Sequence, residues 1–231
     1  MGTTMGKKLH DNSLGLVAAL LFLLALVGQT LTGHRVYNDE QIEHGEQPVH
    51  LAEYLRGAHF GEATFENWES EFLQMGMFIF LTALLIQRGS AESKKPEDEH
   101  EPGERPEGEE DPALHRNDPN APWPVRYGGW VAKVYANSLG LAFLVLFLVT
   151  FWLHAAAGAA AHSAEETAHG GQAVSTLEYL GESQFWFESF QNWQSEFLAV
   201  LSIVVLSIFL RQKASPESKP VHAPHEQTGT E

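Results

Sequence analysis

The stretch FENWESEFLQ (Phe65–Gln74) returns as FQNWQSEFLA (Phe190–Ala199), and each copy runs directly into apolar residues. Asn67-Trp68 and Asn192-Trp193 are 125 positions apart (192 − 67 = 125), as are Asn12-Ser13-Leu14-Gly15-Leu16 and Asn137-Ser138-Leu139-Gly140-Leu141. At the same spacing His44-Gly45 matches His169-Gly170, Glu53-Tyr54-Leu55 matches Glu178-Tyr179-Leu180, and Glu92-Ser93-Lys94 matches Glu217-Ser218-Lys219. A fixed period of this kind marks a repeated structural unit.

The unit is built around apolar runs. Leu14–Leu31, Phe72–Ile86, Leu139–Ala161 and Phe197–Leu210 are almost free of charge and are separated by polar stretches rich in Glu, His, Gly and Pro. A hydrocarbon core about 30 Å thick needs ~20 helical residues. The first and third runs reach that alone. The other two reach it when counted from the boundary tryptophans, Trp68 and Trp193, to the cations Arg88 and Lys213. Four buried helices with almost no polar face are hard to place in a soluble protein. The first run is longer than the apolar region of a secretion signal and recurs deep inside the chain, so it reads as a retained span.

The expected fold is therefore an all-α integral membrane protein with four transmembrane helices, arranged as two parallel two-span repeats. Residues 1–95 form the first repeat, with spans at about 14–32 and 68–87. Residues 125–219 form the second, with spans at about 137–160 and 193–211. Between them, 96–124 is acidic and rich in Pro and Gly, which predicts a disordered linker, and 220–231 reads as a disordered tail. An even number of spans per unit makes the repeats like-oriented.

Of fourteen lysines and arginines, only Arg35 and Arg56 fall in the two long inter-span loops; the other twelve lie on the opposite side. The positive-inside bias places both termini and the linker in the cytoplasm, and predicts a multi-pass protein of the cell (inner) membrane. The net charge of −16 leaves no basic surface for nucleic acid. The absence of cysteine removes disulfides and thiolate chemistry.

Phe65, Trp68 and Phe72 share one helical face, as do Phe190, Trp193 and Phe197. Each set predicts interfacial aromatic anchors on a short amphipathic helix that lies on the outer surface and turns inward as a span. Glu66 and Glu69 become Gln191 and Gln194, so these positions read as solvated. Asn67, Glu71, Asn192 and Glu196 keep their identity and form the candidate polar pairs. Three roles stay open for them: Asn67 capping the returning helix with Glu71 in its first turns, a cation or polar-ligand site near the pseudo-axis, or contact with another subunit or protein. Asn12 and Asn137 read as N-caps of the first and third spans.

His34, His44, His50, His59, His154, His162 and His169 fall at or outside the outer boundary and read as a scattered surface set. Of these only His44 and His169 correspond between units, as weak metal candidates without a metal-binding spacing. No nucleophile elbow, phosphate loop or cofactor motif is present, so neither enzymatic activity nor a cofactor is expected. The span interiors carry no Asp, Glu, Lys or Arg.

The Asn-Trp-x-Ser-Glu-Phe signature, the span after it and the SPESKP tail (Ser215–Pro220) resemble an uncharacterised bacterial family of multi-pass membrane proteins, catalogued as a domain of unknown function. The resemblance covers nearly the whole chain apart from the acidic linker. It implies a bacterial membrane location and carries over no functional residues. The expected function is a non-enzymatic envelope scaffold or sensor, with the bilayer, a homo-oligomer or an envelope protein as partner. The alternative is an oligomeric cation channel, transporter or cation-binding protein using Glu71 and Glu196.

Overall fold

The computed structural model describes residues 2–99, 111–168 and 170–230, and among these there are helices and turns but no strand. A short helix, α1 (Gly2–Asp11), leads into the long α2 (Ser13–Glu43); the single turn α3 (Leu51–Tyr54) precedes α4 (Ala58–Leu84). After the linker come α5 (Trp123–Tyr127), α6 (Gly129–Ala136), α7 (Ser138–Ala168), the turn α8 (Thr176–Tyr179) and α9 (Ser183–Phe209). The pairs α2 and α7, α3 and α8, and α4 and α9 each begin and end 125 residues apart.

Three helices, α2, α7 and α9, are long and apolar enough to cross a membrane, which marks the chain as membrane-embedded. Their surfaces fit that setting: Leu20, Leu21, Leu144, Leu198 and Leu201 all stand open. The tightest packing joins α4 to α7, with α9 laid against α4. The dry core is small. Ala155, Ala159, Tyr179 and Phe185 form it, with Phe151, Val174 and Leu180 packed around them.

Several expectations are corrected here. Neither aromatic segment is a separate surface helix: Phe65–Phe72 lies inside α4 and Phe190–Phe197 inside α9, both unbroken. No Gly or Pro falls between Gly61 and Gly76 to bend α4 at the expected turn. Asn67 consequently caps nothing; its side-chain amide donates to the Ala63 carbonyl one turn back. Asn12 and Asn137 sit where helices meet, but they too donate backward, to the carbonyls of Lys8 and Lys133. The helices of the first and third runs also outlast their apolar residues, ending only near Gly45 and Gly170, both at positive φ.

Residues 220–230, expected as a free tail, fold back on the turn that follows α4. Lys219 is almost completely buried, and its ammonium donates to the carbonyls of Gly89 (2.6 Å), His225 (2.9 Å) and Gln227 (2.9 Å). The Gly229 amide donates to the Ser90 carbonyl, and Ser90 and Ser207 hydroxyls meet at 3.0 Å. A buried ammonium needs several acceptors at once, and the folded-back tail supplies three of them, the carbonyls of Pro224, His225 and Gln227. Of the linker, 100–110 lies outside the described residues; Pro112–His115 forms a 3-10 turn ahead of α5.

The same docking brings Glu92 against Glu217, and burial together with that second carboxyl raises Glu92 above the usual carboxylate range. A carboxyl raised on docking binds its proton more tightly when docked. Docking therefore strengthens as pH falls through the raised value toward the ordinary one, and is flat above it. Hydrogen exchange at the Gly229 amide, corrected for its intrinsic pH dependence, is expected to slow over that interval. In Glu92→Gln the extra protection is present throughout and independent of pH. Unchanged pH dependence in the variant would assign the effect to another group.

Candidate functional site

On α4, Glu62, Glu66 and Glu69 are spaced four and three residues apart, which puts their carboxylates on one face. That face meets α7 where α7 is nearly all small: Ala155, Ala157, Gly158 and Ala159. The approach is close. A Cβ on Gly61 would stand 3.3 Å from the Ala157 Cβ, and one on Gly158 would stand 2.5 Å from Tyr179 Cε1 and 3.0 Å from Glu62 Oε1. Small residues at this crossing give a polar cluster room inside a helix contact.

His154 of α7 occupies the centre and is fully buried, as is Glu69. The imidazole Nδ1 lies 3.1 Å from Glu69 Oε2, and Nε2 lies 3.3 Å from Glu188 Oε2 on α9. Ser189 donates to Glu69 Oε1 at 2.9 Å, Tyr179 donates to Glu188 Oε2 at 3.0 Å, and Gln184 donates to Glu188 Oε1 at 2.6 Å. Asn192 donates to Glu66 on α4 as well as to the Glu188 carbonyl. Burial and the adjacent Glu188 carboxylate push the Tyr179 phenol up, which keeps it a donor. Phe185 lies against the imidazole face, with centroids 4.8 Å apart, and Phe151 and Trp186 close the wall behind it.

This bonding fixes a proton count. Two hydrogen bonds join three titratable groups, so two protons must be shared among Glu69, His154 and Glu188. Imidazolium with two carboxylates satisfies that, and so does neutral imidazole with one carboxylic acid; either way the trio carries one negative charge. Removing a proton sets two acceptors face to face. Adding one places a hydroxyl on a carboxyl that already accepts hydrogen bonds at both oxygens, so one of its donors must turn away or accept instead. The cluster holds protons between α4, α7 and α9, and its bonds depend on their number.

A family model described as a domain of unknown function, DUF6766, matches residues 5–230. The chain belongs to this family. No curated protein and no solved structure matches it. In this DUF6766 protein the match runs from α1 through the docked tail.

The candidate residues read from sequence are distributed around the cluster. Asn192 is part of it, while Asn67 and Glu71 are exposed on α4. Gln74, three residues beyond Glu71, donates to the Glu196 carbonyl at 3.3 Å. Trp68 meets Phe65 and Phe22, and Trp193 meets Phe190, Trp186 and Phe147. Phe72 packs on Phe143, whereas Phe190 and Phe197 remain exposed. His44 ends α2 on the surface, and His169 lies outside the described residues. Among the described residues no three acidic or imidazole groups are disposed to hold a metal.

Two readings are overturned. Glu69 is buried, not solvated, and His154 is a core residue, not one of a scattered surface set. The exchange of Glu69 for Gln194 had suggested that its charge was dispensable. The signal that identifies the pair lies in that same comparison: His154 corresponds to Gln29 (154 − 125 = 29), so the acid and its imidazole partner both become glutamine together.

Proposed function

We propose that this chain is a non-enzymatic sensor at the outer face of its membrane, crossing the bilayer four times as two like-oriented hairpins with cytoplasmic termini. The observation that carries the reading is His154, fully buried and engaged at both ring nitrogens by carboxylates from two other helices. Ionisable groups in such a place are costly and mark function by default. His154 lies ~25 Å along α7 from Asn137, near the outer limit of a hydrocarbon core entered at that asparagine. A change in proton count loosens Glu188 from His154, and Glu188 also holds Tyr179, the last residue of the outer turn α8. The proton load of the cluster is thereby coupled to the loop that faces outward.

The parent has no cysteine, so one placed at Gln172 reports on that loop alone. In the reconstituted protein its labelling rate is expected to change severalfold across a titration from about pH 5 to about pH 10. In a His154→Gln background, which copies the residue at position 29, the rate is expected to stay flat after correction for thiol ionisation. A pH response that survives in the variant would overturn the assignment.

One observation favours a second reading, a cation-binding or cation-conducting bundle: Gln74 donates to the Glu196 carbonyl, so the stretches of α4 and α9 that carry Glu71 and Glu196 meet. Ion flux in liposomes that is abolished by Glu71→Gln/Glu196→Gln supports it, and the absence of flux in the parent removes it.

A further inference from the structure

The two hairpins repeat each other in detail. Phe22 meets Trp68 as Phe147 meets Trp193, and Tyr54 meets Phe60 as Tyr179 meets Phe185. The Val49 amide donates to Asn38 as the Val174 amide donates to Ser163, and the turns after α4 and α9 share their serine hydrogen bonds. In those turns Gly89 and Ala214, again 125 apart, both adopt positive φ.

The contact between the hairpins is one-sided. The α4 face bearing Glu69, Phe72 and Gly76 packs along α7, against His154 and Phe143. Moved by 125 residues, that contact would set Gln194, Phe197 and Leu201 of α9 against Gln29 and Ala18 of α2. Among the described residues there is no comparable contact between α9 and α2, and α2 touches α4 only lightly. Phe197, Leu201, Gln194 and Ala18 are all exposed.

A two-fold axis between hairpins would have made both contacts at once. A contact made once is heterologous, and it leaves one donor face and one acceptor face open, a condition that only further units can close. Resting on the four-span, like-oriented reading given above, we infer that a second copy of this chain covers these faces. The α9 of each copy packs on the α2 of its partner as α4 packs on α7. Two copies, supplying four hairpins, form the smallest closed ring.

Residue chemistry supports a protein occupant over lipid. Gln194 makes no side-chain hydrogen bond within the described residues, and Gln29 stands at the position of His154, donating only to Thr64 at 3.2 Å. Where the internal contact pairs an acid with an imidazole, the open faces offer two amides. Each amide can both donate and accept, so the pair is self-complementary, and side chains of this kind join helices in a bilayer.

A disulfide tests the register. A Cβ on Gly76 would lie 3.2 Å from the Phe143 Cβ, close to the spacing a disulfide spans. The corresponding positions across the open faces are Leu201 and Ala18. Chains carrying Leu201→Cys are mixed in membranes with chains carrying Ala18→Cys and oxidised. A product of twice the chain mass, formed only in the mixture and weakened by Gln194→Ala, is the expected result. A chain carrying Gly76→Cys/Phe143→Cys serves as control and is expected to close on itself at single-chain mass. If the control closes and the mixture does not, the inference is overturned and the four-span reading stands. The doubly substituted Leu201→Cys/Ala18→Cys chain closing on itself alone would also overturn it, because the ring would then be complete within one chain. Failure of the control overturns the α4–α7 contact and the inference with it.

Discussion

Replacing Glu69 by alanine is expected to destabilise the helical bundle by about 3–5 kcal/mol, the cost of removing one partner from a buried charge pair. His154 Nδ1 and the Ser189 hydroxyl both end on this carboxylate, and neither has water within reach because Glu69, His154 and Ser189 are fully buried. At the size of this chain that loss corresponds to a fall in melting temperature on the order of 10 °C. Glu188→Ala is expected to cost less. Its side chain is 16% exposed, so solvent can take over part of its role. Glu69→Gln keeps the shape and one acceptor, for a cost of about 1–2 kcal/mol. The decisive variant is Glu69→Gln/His154→Gln, which installs the pair found at Gln194 and Gln29. If the two residues act as a unit, the double variant is less destabilised than the sum of the singles, by a coupling on the order of 1–3 kcal/mol. Thermal unfolding in one detergent, across all four proteins of the cycle, measures this; additive losses would mean that the two side chains merely share a location.

Much of the architecture was legible because it depends on local patterns. Apolar length identified α2, α7 and α9 as helices able to cross a membrane, and elements 125 residues apart share their bounds. Helix ends were misjudged where apolar content served as the ruler. In α2, His34–Glu43 is polar but contains no helix breaker, so the helix continues until Gly45 offers a positive φ. The aromatic segments read as surface helices that turn inward, with capping by Asn67 as one open role, but Asn67 and Asn192 lie inside α4 and α9. Mid-helix, each side chain found the carbonyl four residues back.

The cluster was hidden for a different reason. Whether Glu69 faces water or His154 depends on which side of α4 meets α7, and that pairing is set by Gly61, Gly76 and the alanines of α7, far away in sequence. Once charged residues can neutralise one another, apolar composition no longer reports where they lie. The comparison of the two halves carried the missing information only in joint form. Taken singly, Glu69-to-Gln194 looks like tolerance; taken with His154-to-Gln29, it looks like exchange of one matched pair for another.

Phe185→Ala is the second large effect expected. The ring is fully buried and touches four others, at centroid distances of 5.1 Å to Phe151, 4.8 Å to His154, 5.8 Å to Tyr179 and 5.4 Å to Trp186. Truncating such a phenylalanine in a soluble core costs ~3–5 kcal/mol, part transfer from water and part cavity. Between membrane helices the transfer part shrinks, because lipid is itself apolar, and the packing part remains. A loss of about 3 kcal/mol is therefore the expected value, at the lower end of that range. Phe60 holds the same place in the first hairpin, but it is only half-buried and its ring partner is Tyr54, so Phe60→Ala is expected to cost clearly less. The difference between the two variants matters more than either number. It isolates the contact of the Phe185 ring with the His154 imidazole, which has no counterpart at Phe60, and tests whether the aromatic wall keeps water from the bridge. If the wall has that role, Phe185→Ala also admits solvent to the imidazole, and the pH response of a label at residue 172 shifts or broadens. Equal losses for the two variants, with that response unmoved, would leave Phe185 as ordinary packing and the bridge shielded by the helices alone.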